Sequence, residues 1–307
     1  MYSWHQALWQ QLQQARQAKH LPHALLFSGT DGCGHETFIE YLAASLLCLM
    51  PTANGQACGH CRSCQVLAAQ AHPDFIRIAT ADDKQTIGID QVRGLSHFME
   101  LKCSYSPCRV ALLPEADALN HHAANSLLKV LEEPAGQTHL LLFTTQLSQL
   151  LPTIRSRCQI FRMSLPAPDQ AIAWLKTQQT IQEPAHLLTL ASGKPLTALS
   201  LDSGEKLAQR ELFLQQLQQL CQGSLTCAQL SSHWEKQDRA ELLDWLLQHL
   251  QQQLRQQYRD AQGWELYDRL VELKTLATHP LNARLFIENM LVLWVQYQTR
   301  RMRTKAA

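Results

Sequence analysis

The stretch that most constrains this chain is His23-Ala24-Leu25-Leu26-Phe27-Ser28-Gly29-Thr30-Asp31-Gly32-Cys33-Gly34-His35-Glu36-Thr37. It begins as an apolar run, turns glycine-rich, then passes into Phe38-Ile39-Glu40-Tyr41-Leu42-Ala43, a helix-like segment. Strand, glycine loop and helix in that order make a phosphate-cradling loop. The spacing fits, with four residues between Gly29 and Gly34. The side chains do not. A phosphate loop carries Lys and then Ser or Thr where this chain has His35 and Glu36. The lysine ammonium bridges the terminal phosphates and the hydroxyl ligates Mg²⁺. Histidine is shorter and mostly neutral near pH 7, and a glutamate carboxylate repels a polyphosphate. The closest lysines in sequence, Lys19 and Lys84, do not adjoin the loop. Gly29, Gly34, His35 and Glu36 therefore read as a degenerate nucleotide site. A glycine pattern this short also occurs in an ordinary turn.

A second constraint lies about a helix further on. The turn Pro51-Thr52-Ala53-Asn54-Gly55-Gln56-Ala57 delivers Cys58-Gly59-His60-Cys61-Arg62-Ser63-Cys64. Two overlapping Cys-x-x-Cys steps put three thiols within a few residues. Cys48, at the end of the preceding helix, can supply a fourth; His60 is the other candidate. Four thiolates suit tetrahedral Zn²⁺ and leave no open position for water, so the site reads as structural. The chain holds 10 cysteines. No signal peptide or membrane-length apolar run is visible, which points to a cytoplasmic protein whose thiols bind metal or stay free.

The remaining pattern alternates strands with helices. An amphipathic helix is expected over 4–18, with Trp4, Leu8, Leu12 and Ala15 on one face. Phe75-Ile76-Arg77-Ile78, Arg109-Val110-Ala111-Leu112-Leu113 and His139-Leu140-Leu141-Leu142-Phe143 read as strands, the last two buried on both faces. Helices are expected over 89–101 and 121–133, the second stopped by Pro134. Pro114-Glu115-Ala116-Asp117 stands where a nucleotide hydrolase places its second acidic motif, which adds Glu115 to the degenerate site. Such alternation predicts an α/β parallel-sheet domain over 1–165, with the cysteine module at 48–64. Short helical segments follow over 166–204, then a helical bundle over 205–307 with Leu243, Leu247, Leu250, Leu254 and Tyr258 on one face. The basic end, Arg300-Arg301-Met302-Arg303-Thr304-Lys305, reads as a frayed terminus. A formal net charge of +1 supplies no global field for nucleic acid, which counts against a zinc module that binds DNA alone.

Several stretches together resemble the delta-prime family of bacterial DNA polymerase III subunits, clamp-loader components of the AAA+ class. They are Leu21-Pro22-His23-Ala24-Leu25-Leu26-Phe27, the Cys58-x-x-Cys61-x-x-Cys64 module, His72-Pro73-Asp74, Ile89-Asp90-Gln91-Val92-Arg93, Ala124-Asn125-Ser126-Leu127-Leu128-Lys129-Val130-Leu131-Glu132-Glu133-Pro134 and Ser156-Arg157-Cys158. The resemblance covers residues 20–165, and extends more weakly to Gly193-Lys194-Pro195 and Pro280-Leu281-Asn282. It implies an AAA+ domain, a helical lid over 166–204 and a C-terminal collar. Active clamp-loader ATPases have Lys-Thr or Lys-Ser at His35-Glu36, Asp-Glu at Pro114-Glu115 and a sensor arginine near Thr197. Three losses at separated positions imply a subunit that neither binds nor hydrolyses ATP. The resemblance further implies a stator in a heteropentamer with gamma/tau motor subunits and the delta subunit. Through that complex it would meet the sliding clamp and primer-template DNA, with zinc on Cys48, Cys58, Cys61 and Cys64. Arg157 would act in trans on a neighbour's ATP. The alternative is an atypical gamma/tau-like ATPase using substitutes for the lost residues.

Overall fold

A computed structural model describes residues 1–80, 86–134, 136–178, 183–201, 205–277 and 281–306. Lys84, Pro280 and the 202–204 end of the expected lid lie outside the described residues. The chain divides into two compact units, one of residues 1–178 with 193–197, the other of 179–192 with 198–307.

The first unit is a parallel sheet clothed by helices. Its elements run α1 (Gln6–Gln17), β1 (Ala24–Gly29), α2 (His35–Leu47), α3 (Arg62–Ala68), β2 (Phe75–Arg77), α4 (Ile89–Glu100), β3 (Arg109–Leu113), α5 (His121–Glu132), β4 (Thr138–Thr144), α6 (Pro152–Arg155), β5 (Gln159–Met163) and α7 (Pro168–Lys176). The five strands lie in the order β2-β3-β4-β1-β5, every pair parallel. Strand side chains alternate between faces, so a run of apolar residues feeds two cores. Leu26, Ala111, Leu113, Leu140 and Leu142 join Val92, Leu95, Leu127 and Leu131 on one face. Leu25, Phe27, Val110, Leu112, Leu141 and Phe143 meet Trp9, Leu12, Phe38, Ile39, Leu42 and Leu46 on the other. Each large side chain buried this way contributes roughly 1.5–3 kcal/mol relative to exposure.

Two sequence expectations change here. Trp9, not Trp4, carries the aromatic contribution of the first helix to the core. The sequence pattern does not announce strand β5, because Gln159-Ile160-Phe161-Arg162-Met163 is an edge strand with exposed Gln159 and Arg162. Its polar residues break the continuous apolar run that marks an inner strand.

The second unit is helical: α8 (Pro184–Leu190), then α9 (Pro195–Leu201) from Ala198 on, α10 (Glu205–Cys221), α11 (Cys227–Trp234), α12 (Arg239–Gln256), α13 (Ala261–Leu276) and α14 (Ala283–Ala306). Phe213, Leu217, Trp234, Leu243, Leu247, Leu250, Leu254, Leu270, Ile287 and Trp294 share one core. Tyr258 does not join it: α12 stops at Gln256, and Tyr258 is 69% exposed in the turn beyond. The basic end is not frayed, since α14 continues through it to Ala306. Arg301 is held there by Gln253 and Gln257 of the α12 end.

Candidate functional site

Helix α2 begins at one candidate site and ends at the other. At its N-terminus, Gly34 is the N-cap with φ of 75°, and Gly32 has φ of 79°. Glycine tolerates this left-handed backbone, and its missing Cβ leaves room for a phosphate to approach. At both glycines the position a Cβ would take is occupied by the protein itself. A Cβ at Gly34 would overlap the Tyr2 ring, and one at Gly32 would overlap Thr197 Oγ1. Tyr2 is fixed in turn: it stacks on Trp4 at 4.8 Å and meets Trp174 edge-on at 5.5 Å. Trp4 Nε1 donates to the Cys33 carbonyl at 2.9 Å, and the Leu196 N–H donates to the Gly32 carbonyl at 3.0 Å.

The substituted side chains are likewise committed elsewhere. His35 stacks flat on Phe143, with centroids 3.6 Å apart, and its Nε2 lies 3.4 Å from Asp31 Oδ1. Glu36 pairs with Arg77, which also holds Glu40. Glu115 accepts hydrogen bonds from Thr80 Oγ1 at 2.7 Å and Thr80 N at 3.3 Å. Gly29, at the end of β1, abuts Met163 of β5. Behind the loop, His5 is 3% exposed, and neither ring nitrogen has a partner among the described residues. Burial, with lesser contributions from nearby charge, lowers its pKa to about 4. One expectation needs correction: a lysine does reach the loop. Lys194, distant in sequence, packs its Cβ against Gly32.

At the C-terminus of the same helix, Cys48 is the C-cap residue. The thiols of Cys48, Cys58, Cys61 and Cys64 all lie within 4.8 Å of one another. Sγ of Cys48 is 3.9 Å from Cys61, and Sγ of Cys58 is 4.0 Å from Cys64. A tetrahedron with bonds of about 2.3 Å has edges of about 3.8 Å, so the set is sized for Zn²⁺. These separations are too long for disulfides, and all four cysteines are free. Backbone N–H groups point at sulfur: Cys58 N donates to Cys48 Sγ and Cys61 N to Cys58 Sγ, both at 3.3 Å. Burial raises the Cys61 pKa, but amides and neighbouring thiols outweigh it and hold this thiol down at about 6. Burial pushes Cys64 up to about 12. His60, the other candidate fourth ligand, bonds through Nδ1 to the Cys58 carbonyl at 2.9 Å.

Arg157 stands apart from both ends of α2. It follows α6 on an exposed surface, with Nη2 2.7 Å from Glu132 Oε1 and Nη1 donating to the Thr153 carbonyl at 3.1 Å. Sequence reasoning placed Thr197 at this site, as the position of a lost sensor arginine, and missed Tyr2, Trp4, Arg77 and Thr80. Their contacts join segments far apart in the chain, and no local spacing announces them.

Comparison with known proteins gives concordant matches. A family model described as DNA polymerase III, delta subunit, matches residues 4–167. The chain is 40% identical over 249 residues to DNA polymerase III subunit delta′ of Pseudomonas aeruginosa, spanning 80% of this chain and 74% of that protein. It is 31% identical over 252 residues to the subunit of the same name from Haemophilus influenzae, spanning 81% and 76%. Its fold resembles the crystal structure of a DNA polymerase III gamma subunit-related protein from Thermotoga maritima. The TM-score is 0.54 at 18% identity, covering 94% of this chain and 99% of that one.

Proposed function

The chain belongs to the family of DNA polymerase III subunit delta′, and from that premise we propose that it is the non-catalytic stator of a replicative clamp loader. It is a clamp-loader subunit with an α/β AAA+ domain and a helical C-terminal part. The observation that carries the stator reading is the filled glycine loop. Tyr2 and Thr197 occupy the space above Gly34 and Gly32, and His35 and Glu36 replace the phosphate and Mg²⁺ ligands. A subunit built this way holds no ATP of its own and acts by shape. The lid at 166–204 and collar at 205–307 would join it to gamma/tau and delta subunits in a five-membered ring. Through that ring it would serve the sliding clamp and primer-template DNA in the cytoplasm. Among the described residues no helix is long and apolar enough to cross a membrane.

Two further parts complete the proposal. Cys48, Cys58, Cys61 and Cys64 hold a structural Zn²⁺, their donor set and spacing matching that ion. Arg157 serves a neighbour's ATP. Its planar, permanently charged fork suits a γ-phosphate, its own subunit offers none, and its place is exposed. The Glu132 pair then acts as a parking contact in the free chain.

The test is reconstitution with gamma/tau and delta subunits. A fixed complex should co-elute, the isolated chain should not turn over ATP, and Arg157→Ala in the assembled loader should slow clamp-stimulated hydrolysis. Parent-rate hydrolysis and loading by the Arg157→Ala complex would refute the trans role. Lys194 favours a second reading, an atypical ATPase with a substitute lysine. ATP turnover by the isolated chain that is lost in Lys194→Ala would establish that reading instead.

A further inference from the structure

The motif His72-Pro73-Asp74 is absorbed by neither candidate site, yet it anchors a buried polar node. Ser63, between Cys61 and Cys64, is 0% exposed. Its Oγ donates to the Leu47 carbonyl at 2.8 Å, one residue before Cys48. The same Oγ lies 2.9 Å from His72 Nε2 and 3.2 Å from Ser106 Oγ. His72 Nδ1 accepts the Asp74 backbone N–H at 3.0 Å. An accepting ring nitrogen carries no proton, so the proton of the neutral ring sits on Nε2. His72 then donates to Ser63 and to Ser106, the latter at 3.1 Å. Burial lowers the His72 pKa against the opposing pull of Asp74, which keeps the ring neutral.

Serine, histidine and aspartate this close invite comparison with a nucleophilic triad. The hydrogen bonds run the wrong way. The Asp74 carboxylate is committed to the N–H groups of Ser104, Tyr105 and Ser106 and to Arg109. The Ser63 hydroxyl gives its proton to Leu47, and the node is sealed from solvent.

The geometry points to a different role: the Ser63 hydroxyl, oriented by His72, clamps the arm carrying Cys48 to the arm carrying Cys61 and Cys64. The thiols are thereby positioned before a metal arrives, and the clamp sets how slowly the metal leaves. This rests on the metal-site reading above. Asp74 and Arg109 fix the clamp to the sheet: the Val110 N–H of β3 donates to the Asp74 carbonyl at 2.9 Å, and Arg109, the first residue of β3, donates to the Pro73 carbonyl at 3.1 Å. Ser63 and His72 are positioning residues, since neither offers a ligand to the metal set.

The experiment loads the full chain with Zn²⁺ and follows its release to a chelating dye. Outer partners of metal ligands typically govern about 10–100-fold in affinity. Ser63→Ala should release zinc about 10–100-fold faster, in the range set by such partners. His72→Asn is the sharper variant. Its side-chain oxygen keeps the Asp74 N–H bond and the turn, but cannot reach the two hydroxyls. It should release zinc about ten-fold faster, at the lower end of that range. The Co²⁺-loaded variants should keep the parent's tetrathiolate absorption, because the donors are unchanged. In the metal-free protein, backbone N–H groups of 58–64 should exchange faster in both variants than in the parent. Parent-like release and exchange in His72→Asn and Ser63→Ala would overturn the clamp while leaving the metal site standing. A parent chain that takes up neither Zn²⁺ nor Co²⁺ would overturn the metal reading and the clamp with it.

Discussion

The two ends of α2 present two short motifs with opposite outcomes. At the N-terminal end the glycine spacing and left-handed backbone of a phosphate loop are present, but the side chains that follow are engaged within the protein. Tyr2 and Thr197 lie against Gly34 and Gly32, while Arg77 holds Glu36 and Phe143 stacks on His35. At the C-terminal end four sulfurs converge, with amides aimed at them. Spacing thus fixes the backbone in both places. The side chains set on that backbone separate a site from its remnant.

Disabling the cysteine end should have the largest effect. Chelation, or Cys61→Ala, would forfeit part of the roughly 10–16 kcal/mol that structural zinc supplies in small finger peptides. Only part is expected, because the sheet has two cores of its own. Calorimetry should show a lower transition for the sheet unit and an unmoved transition for the helical unit. Chelator-resistant stability together with zinc-free elemental analysis would make the two ends of α2 alike.

The glycine end can be probed by undoing its blocks in turn. Isothermal titration of the parent with Mg·ATP should give no binding heat. His35→Lys with Glu36→Thr restores the side-chain chemistry but leaves the Tyr2 ring over Gly34. That double variant should still fail to bind. Adding Tyr2→Ala should produce measurable heat. Tight binding by the double variant alone would show that lost ligands, not occupied space, silence the loop.

A smaller effect is expected at His5, which packs against Phe38 of α2 at 5.0 Å. Its folded pKa, near 4, lies below the ordinary value of 6.5. Above 6.5 the ring is neutral in both states and stability is fully present. As pH falls from 6.5 towards 4, the unfolded chain gains a proton that the folded chain refuses, so stability drops. The shift corresponds to a loss on the order of 3 kcal/mol, complete below pH 4. His5→Phe keeps an apolar ring and should flatten this part of the acid profile. Urea unfolding at pH 7 and pH 4.5 measures it; equal slopes in parent and variant would remove His5 from the account.

Much of this was legible in the sequence, for physical reasons that differ by element. Strands β3 and β4 were plain because burial on both faces demands continuous apolar runs, such as Val110 to Leu113. The cysteine cluster was plain because its chemistry needs sulfur at close spacing, and Cys48 falls where α2 ends. Edge strand β5 was obscured by Gln159 and Arg162, and the end of α12 before Tyr258 had no breaker residue to mark it. The cover on the glycine loop by Tyr2 and Lys194 was invisible, since both reach it only through the fold. His72 stood out as part of His72-Pro73-Asp74, but its partner Ser63 did not: a buried hydroxyl looks like any other serine until its partners are placed.

The smallest effect on the free chain, and the most telling contrast, belongs to Arg157. Its pair with Glu132 is open to water, with side chains 36% and 51% exposed. Exposed pairs of this kind contribute about 0–1 kcal/mol, screened further by salt. Arg157→Ala should therefore shift the unfolding free energy of the isolated chain by about 0.5 kcal/mol or less. Zinc content should not change, because Arg157 touches neither end of α2. Glu132→Gln should be equally quiet, and it frees the guanidinium. Within the assembled loader the two variants should part company. Arg157→Ala and Arg157→Lys should both slow ATP hydrolysis, the lysine because a single ammonium cannot reproduce a bidentate fork. Glu132→Gln should leave the rate intact or raise it. If Arg157→Ala and Glu132→Gln instead destabilised the free chain equally and left the loader's rate untouched, the pair would be a structural contact. The arginine would then have no business beyond its own surface.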